Sequence, residues 1–158
     1  MNSVQKGERG RPDAGLGLRV VGVVMVVLGG LIAAVTGPLE LEKGSWASAY
    51  LVLVAGVAQV AMGLALRRWG GGAGAAWWQF VLWNIGNAAV VLGTLLASPV
   101  GVFAGSAALI AALVLAFLAA LRTPINRDRM LLTGYRLLLA LLAVSIPVGM
   151  VLAIIRHT

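Results

Sequence analysis

The sequence predicts an all-α integral membrane protein, a bundle of five transmembrane helices. Of its 158 residues, 61% are hydrophobic and only 11% are charged, and the apolar residues fall in five long runs. A soluble domain needs more charged surface, whereas helices that meet lipid are apolar all round. The formal charge of +7 lies at the ends of these runs. That distribution is typical of membrane topology signals and argues against a nucleic-acid partner.

Each run is close to the roughly 20 residues that a helix needs to cross a hydrocarbon layer of ~30 Å. The predicted helices cover about residues 19–36, 49–66, 77–97, 101–121 and 130–155. The residues between them are rich in Gly, Pro and charged side chains, which end helices or favour turns. The third and fourth runs are separated by a short turn at Ser98–Gly101, so we expect them to form an antiparallel hairpin.

Residues 1–18 contain Lys, Arg, Pro and Gly with too little apolar surface to fold alone. They predict a flexible basic cytoplasmic tail, followed by a single five-helix transmembrane domain over residues 19–158. A basic tail before an apolar run also describes a secretory signal peptide. However, this run is longer than a usual signal core, and the residues around Ala34 and Thr36 make a poor cleavage site. We therefore expect the first run to be a membrane helix.

Two connecting segments and one helix kink are predicted from composition. Leu39–Ala47 carries Glu40, Glu42 and Lys43 and predicts a short polar loop. Residues 69–76 are mostly Gly and Ala, which favours a flexible reversal. In the fifth run, Pro147 removes a backbone donor and predicts a kink.

Five crossings place the two chain ends on opposite sides, so the Lys and Arg residues divide into two groups. The larger group holds Lys6, Arg9, Arg11, Arg19, Arg67, Arg68, Arg122, Arg127 and Arg129, and the smaller holds Lys43 and Arg156. Because basic loops stay in the cytoplasm, the N-terminus is predicted to be cytoplasmic and the C-terminus outside a plasma (inner) membrane. Trp46 and Tyr50 then mark the outer interface, and Trp69, Trp77 and Trp78 mark the inner one.

The third run has a polar face. Asn84, Asn87 and Thr94 recur with helical spacing, and Gln59 in the second run lies between Gly56 and Gly63. Amides are disfavoured against lipid, so these side chains should point into the bundle, toward another subunit or toward water. One interpretation is that they form interhelical hydrogen bonds. The other is that they line a polar cavity for a small solute, a lipid headgroup or a quinone-like ring.

Two runs carry small residues at spacings that let helices approach closely. In the fourth run these are Ala104, Ala108, Ala112, Ala116 and Ala120, and in the first they are Gly29, Gly30, Ala33 and Ala34. Such faces serve either internal packing or contact with another chain, including a second copy of this one.

Arg136 is the charged residue inside an apolar run. Its long side chain can reach back to the cytoplasmic headgroups, where it would be solvated. Its guanidinium also suits bidentate contact with a lipid phosphate, which makes Arg136 a candidate lipid-phosphate contact.

The chain has no Cys, its single His is His157, and its predicted spans hold no Asp, Glu or His. These residues supply most metal ligands and catalytic groups, so we expect no metal, no cofactor, no catalytic residue and no enzymatic activity. The sequence thus predicts a non-catalytic helical subunit or scaffold of a plasma-membrane assembly. The alternative is a small transporter, or a membrane protein that binds a small molecule or lipid through the polar face of the third helix.

Overall fold

A computed structural model describes residues 13–70, 72–123 and 129–155, with side chains up to residue 146. The described residues are predominantly helical and contain no strand. The helices are α1 (Ala14–Thr36), α2 (Gly44–Trp69), α3 (Ala73–Leu95), α4 (Pro99–Leu121) and α5 (Arg129–Ile155). The prediction of an all-α bundle is therefore confirmed.

Four of these described helices, α1, α2, α4 and α5, are long and apolar enough to cross a membrane. The remaining helix, α3, is 23 residues long, which is the length of α1. It falls short in hydropathy because it carries Gln79, Asn84 and Asn87 among its apolar residues. Apolar helices that could span a membrane are thus a property of the fold, while the number of five spans remains a prediction.

The first helix begins earlier than its sequence predicted. Asp13 caps it, since its Oδ1 accepts a hydrogen bond of 2.9 Å from the Gly15 amide. The Arg19 Nη2 lies 3.9 Å from Asp13 Oδ2, and Leu18 is fully buried. Residues 14–18, assigned to the tail from their composition, are therefore helical. Residues 1–12 of the predicted tail lie outside the described residues, as do Arg127, Arg156 and His157. Pro147 lies where side chains are not described.

The connectors predicted at Leu39–Ala47 and at residues 69–76 are shorter than expected, because the Ala, Ser and Gly residues at their edges are incorporated into helices. α2 already begins at Gly44, where an added Cβ would collide with the Thr36 side chain. Between α2 and α3, the described chain leaves the helix at Gly70, whose φ of +76° favours glycine, and re-enters it at Ala73.

The middle of α2 is not a regular α-helix. Gly44–Tyr50 and Gln59–Trp69 are α-helical, whereas Leu51–Ala58 is wound as a π-helix, with wider turns closed by hydrogen bonds to the fifth residue along. Gln59 follows this stretch directly.

Glycines bring the backbones of α1 and α2 into contact. A Cβ placed on Gly22 would lie 2.9 Å from the Gly56 carbonyl oxygen, and one on Gly29 would lie 2.9 Å from the Ser48 carbonyl oxygen. Further along, a Cβ placed on Gly63 would lie 2.7 Å from the Gly15 carbonyl oxygen. No larger side chain fits at these distances, so the two helices form one close-packed hairpin.

A second hairpin joins α3 and α4, as the turn at Ser98 predicted. A Cβ on Gly105 would lie 2.7 Å from both the Gly86 carbonyl oxygen and the Val90 amide nitrogen. A Cβ on Gly93 would likewise lie 2.7 Å from the Val102 amide nitrogen. Ser98 caps α4 by accepting from the Gly101 amide.

The core lies where the hairpins meet, and α5 closes one side of it. Its largest fully buried apolar side chains are Leu18 of α1, Met62 of α2, Trp83 of α3, Leu109 of α4 and Leu139 of α5. The opposite faces of these helices expose Val, Leu and Ile side chains. Such an outer surface requires lipid or other apolar helices around it.

Candidate functional site

Two of the predicted polar residues meet between the hairpins. Gln59 Nε2 of α2 donates a hydrogen bond of 3.1 Å to Asn84 Oδ1 of α3. Asn84 Nδ2 donates in turn to the Phe80 carbonyl oxygen at 2.8 Å, which fixes the orientation of the amide. Gln59 is 1% exposed, whereas Asn84 is half-buried, so the bond lies at the edge of the interior. The pair joins the first hairpin to the second.

The other two predicted polar residues do not join this pair by a described hydrogen bond. Asn87 Nδ2 donates to the Trp83 carbonyl oxygen, and Thr94 Oγ1 donates to the Val90 carbonyl oxygen, both at 2.8 Å. These are bonds to the preceding turn of the same helix. The Thr94 carbonyl accepts from Lys43 Nζ at 2.9 Å, which links the end of α3 to the α1–α2 loop.

Asn87 belongs to a line of buried polar groups on α3 whose other members, Gln79 and Trp83, were not predicted from the sequence. Gln79, Trp83 and Asn87 follow one another every four residues and are 2%, 0% and 6% exposed. In the described part of the chain, Gln79 Nε2, Trp83 Nε1 and Asn87 Oδ1 have no hydrogen-bond partner. Their four-residue spacing places the three side chains on one face of α3, and it could have indicated this line from the sequence.

Gln79 lies at a cleft between α2, α3, α4 and α5, at the end of the bundle where Arg67 and Arg122 are found. The cleft has a volume of about 10 Å³, close to the space that one water molecule needs. Its lining combines aromatic, polar and small side chains, among them Trp69, Gln79, Ala116, Ala120, Thr123 and Tyr135.

Arg136 is held within the protein. Its Nη2 donates a hydrogen bond of 2.8 Å to the Ala120 carbonyl oxygen. That carbonyl is in the last turn of α4, where backbone oxygens lack donors from their own helix. The Arg136 Nε is buried and has no partner among the described residues. Arg136 therefore ties α5 to the end of α4, and its contact with a lipid phosphate stays a prediction.

The small-residue faces divide into buried and exposed parts. Of the alanines in α4, Ala112, Ala116 and Ala120 are at most 2% exposed, whereas Ala104 is exposed. In α1, Gly29 packs against α2. Gly30, Ala33 and Ala34 are exposed, and an added Cβ on Gly30 would have no neighbour within 4 Å. The exposed small residues of α1 face away from the described bundle.

The polar side chains described above can form hydrogen bonds through amides, one indole and one guanidinium. The described residues contain no group of three or more His, Cys, Asp or Glu residues that could hold a metal ion. No known protein family matches the chain, and no curated protein and no solved structure is significantly similar to it. The fold and the site thus define a class, a helical bundle with apolar helices that could span a membrane.

Proposed function

We propose that this protein is a non-catalytic helical subunit or scaffold of a plasma-membrane assembly. The observation that carries the proposal is how the amides in the interior are used: Gln59 and Asn84 bond to each other across the two hairpins. The cleft near Gln79, toward the end of the bundle where Arg67 lies, has room for about one water molecule. An interior of this kind suits a rigid helix support better than a path for a solute.

The proposal includes five membrane spans, with α3 as the least apolar. At ~1.5 Å per residue, its 23 residues give a length of ~35 Å, enough to cross the hydrocarbon layer. Its deeply buried polar residues, Gln79 and Asn87, face the bundle. Trp78, Ile85 and Leu92, at seven-residue intervals, are 61%, 60% and 56% exposed. A helix that buries Gln79 and Asn87 and exposes large apolar side chains is suited to contact with lipid.

The alternative is a small transporter, or a membrane protein that binds a small molecule or lipid along α3. Trp83 Nε1 and Asn87 Oδ1 favour it, because both are buried polar atoms without a described partner. A solute or a file of water molecules that entered between the hairpins could satisfy them.

Thiol labelling tests topology and interior together, since the chain has no native Cys. Single cysteines at Glu42, Arg122 and Asn87 are exposed to a membrane-impermeant maleimide in intact cells. We expect Glu42→Cys to be labelled at once and Arg122→Cys only after permeabilisation. Asn87→Cys should stay unlabelled in both conditions, because its site is 6% exposed. Early labelling of Arg122→Cys would contradict the orientation, and labelling of Asn87→Cys would favour the transporter.

The face through which this subunit would contact a partner lies on the outer half of α1. Gly30 and Ala34 are one helical turn apart and are both exposed, and no helix of the described bundle packs on them. Small residues at this spacing allow close approach of a second apolar helix, from another subunit or another copy of this chain.

Capture from native membranes in mild detergent tests this contact. We expect Gly30→Leu combined with Ala34→Leu to reduce the co-purified partner at least fivefold, because the added side chains hold the helices apart. Val35→Leu is the matched control, as Val35 is also exposed but points to another side of α1. A monodisperse monomer from the unaltered chain, with no partner, would count against the subunit proposal.

A further inference from the structure

The cleft at the arginine-rich end contains a hydrogen-bond donor that the described protein does not use. Gln79 is 2% exposed, and its Nε2 has no acceptor among the described residues. An amide NH₂ group withdrawn from water is destabilising unless it donates to an acceptor. Gln79 Nε2 therefore requires an oxygen atom from outside the described chain.

The size of the cleft restricts which kind of ligand can supply that oxygen atom. About 10 Å³ accommodates a group the size of one oxygen atom, so the rest of the ligand must lie outside the cleft. The surrounding surface is apolar, with the methyl groups of Ala116, Ala119 and Ala120 on one side. Trp69 and Tyr135 lie beside it, with ring centroids 5.6 Å apart. This surrounding suits a ligand with one buried polar atom and an apolar body.

Charge and depth favour an anionic ligand. Arg67 and Arg122 are exposed at the ends of α2 and α4, the helices that contribute most of the lining. The described carboxylate at this end of the bundle, Asp13, lies 3.9 Å from Arg19. Glu40 and Glu42 are in the loop at the opposite end. The cleft thus lies at the level of the headgroups in the leaflet that faces the arginines, where phosphates are the common anions.

We propose that the cleft binds one anionic phospholipid, whose phosphodiester or ester oxygen accepts a hydrogen bond from Gln79 Nε2. Arg67 and Arg122 attract the phosphate, and the acyl chains follow the apolar outer surface of the bundle. The proposal rests on the membrane placement given above, and it holds for either the scaffold or the transporter.

Native mass spectrometry of the full chain in detergent tests the site, with phosphatidylglycerol as the probe and phosphatidylcholine as the neutral comparison. We expect one phosphatidylglycerol to bind with an affinity at least fivefold above that of phosphatidylcholine. Gln79→Leu should weaken phosphatidylglycerol binding about tenfold, the effect of losing one hydrogen bond to a charged group. Lys43→Gln removes a positive charge at the opposite end of the bundle and should change that affinity less than twofold.

Thermal unfolding separates lipid binding from a structural role. Without lipid, the Tm of Gln79→Leu should equal or exceed that of the parent, because the variant loses an amide that had no partner. Phosphatidylglycerol should raise the Tm of the parent more than that of the variant at the same lipid concentration. If Gln79→Leu does not fold, Gln79→Met, which is unbranched like Gln, takes its place.

Two results would overturn the proposal. Unchanged phosphatidylglycerol affinity in the Gln79 variant would mean that only water occupies the cleft. Equal binding by free glycerol phosphate would remove the lipid from the assignment, since a headgroup without acyl chains would then suffice. Neither result depends on the partner capture or on the thiol labelling described above.

Discussion

Gly105→Leu is expected to separate α3 from α4 and to destabilise the protein by about 3 kcal/mol or more, because overpacking at backbone contacts cannot be relieved by rotamer changes. A Cβ at this position would lie 2.7 Å from the Gly86 carbonyl oxygen and from the Val90 amide nitrogen. Both are backbone atoms of a helix, so the whole of α3 would have to move. The free energy of unfolding, measured by titration with a denaturing detergent, should fall accordingly.

Gly134→Ala is the matched control for this change. Gly134 is also a helical glycine, but an added Cβ there would have no neighbour within 4 Å. Alanine has the higher helix propensity, so the variant should stay within about 1 kcal/mol of the parent or be more stable. Equal stability losses in Gly105→Leu and Gly134→Ala would contradict the close approach of the second hairpin.

Gln59→Leu is expected to lower the free energy of unfolding by about 1–3 kcal/mol, because it leaves Asn84 Oδ1 without its donor. Asn84→Leu should lower it by a similar amount, because Gln59 Nε2 then has no acceptor. The double variant should be more stable than the sum of the two losses predicts, since neither partner then remains unpaired. A double-mutant cycle should give a coupling of about 0.6 to 1.7 kcal/mol, the range found for interhelical hydrogen bonds in membranes.

The control for this cycle is Thr94→Val. Thr94 Oγ1 bonds to the Val90 carbonyl oxygen of its own helix, so no second helix loses a partner. Its combination with Gln59→Leu should be additive. A coupling close to zero between Gln59 and Asn84 would show that the amide bond between the hairpins does not contribute to stability.

The sequence was sufficient to predict the helices, because long apolar runs are a strong and local signal. Boundaries were less accurate, since Asp13 and Gly44 begin helices in segments whose composition resembles a loop. An interhelical bond was one of the two interpretations given for these amides, and in the structure Gln59 bonds to Asn84.

The choice of partner for each helix face could not be predicted. Gly56 and Gly63 flank Gln59 in the sequence, yet they contact α1 while Gln59 bonds to α3. Glycines are frequent in every run, so their pairing depends on how all the helices fit together. Gln79 and Trp83 were missed for a related reason, since their neighbours on other helices decide whether they face lipid or the core.

The π-helical stretch of α2 has a consequence for how the first hairpin stays aligned. On α1, the contact glycines Gly15, Gly22 and Gly29 are each seven residues apart. On α2, seven residues also separate Gly63 from Gly56, but eight separate Gly56 from Ser48, and the π-helical residues 51–58 lie largely in that longer interval. The wide turns thus absorb one extra residue. Deleting a single residue there would restore an ordinary α-helix while leaving all three contacts facing α1.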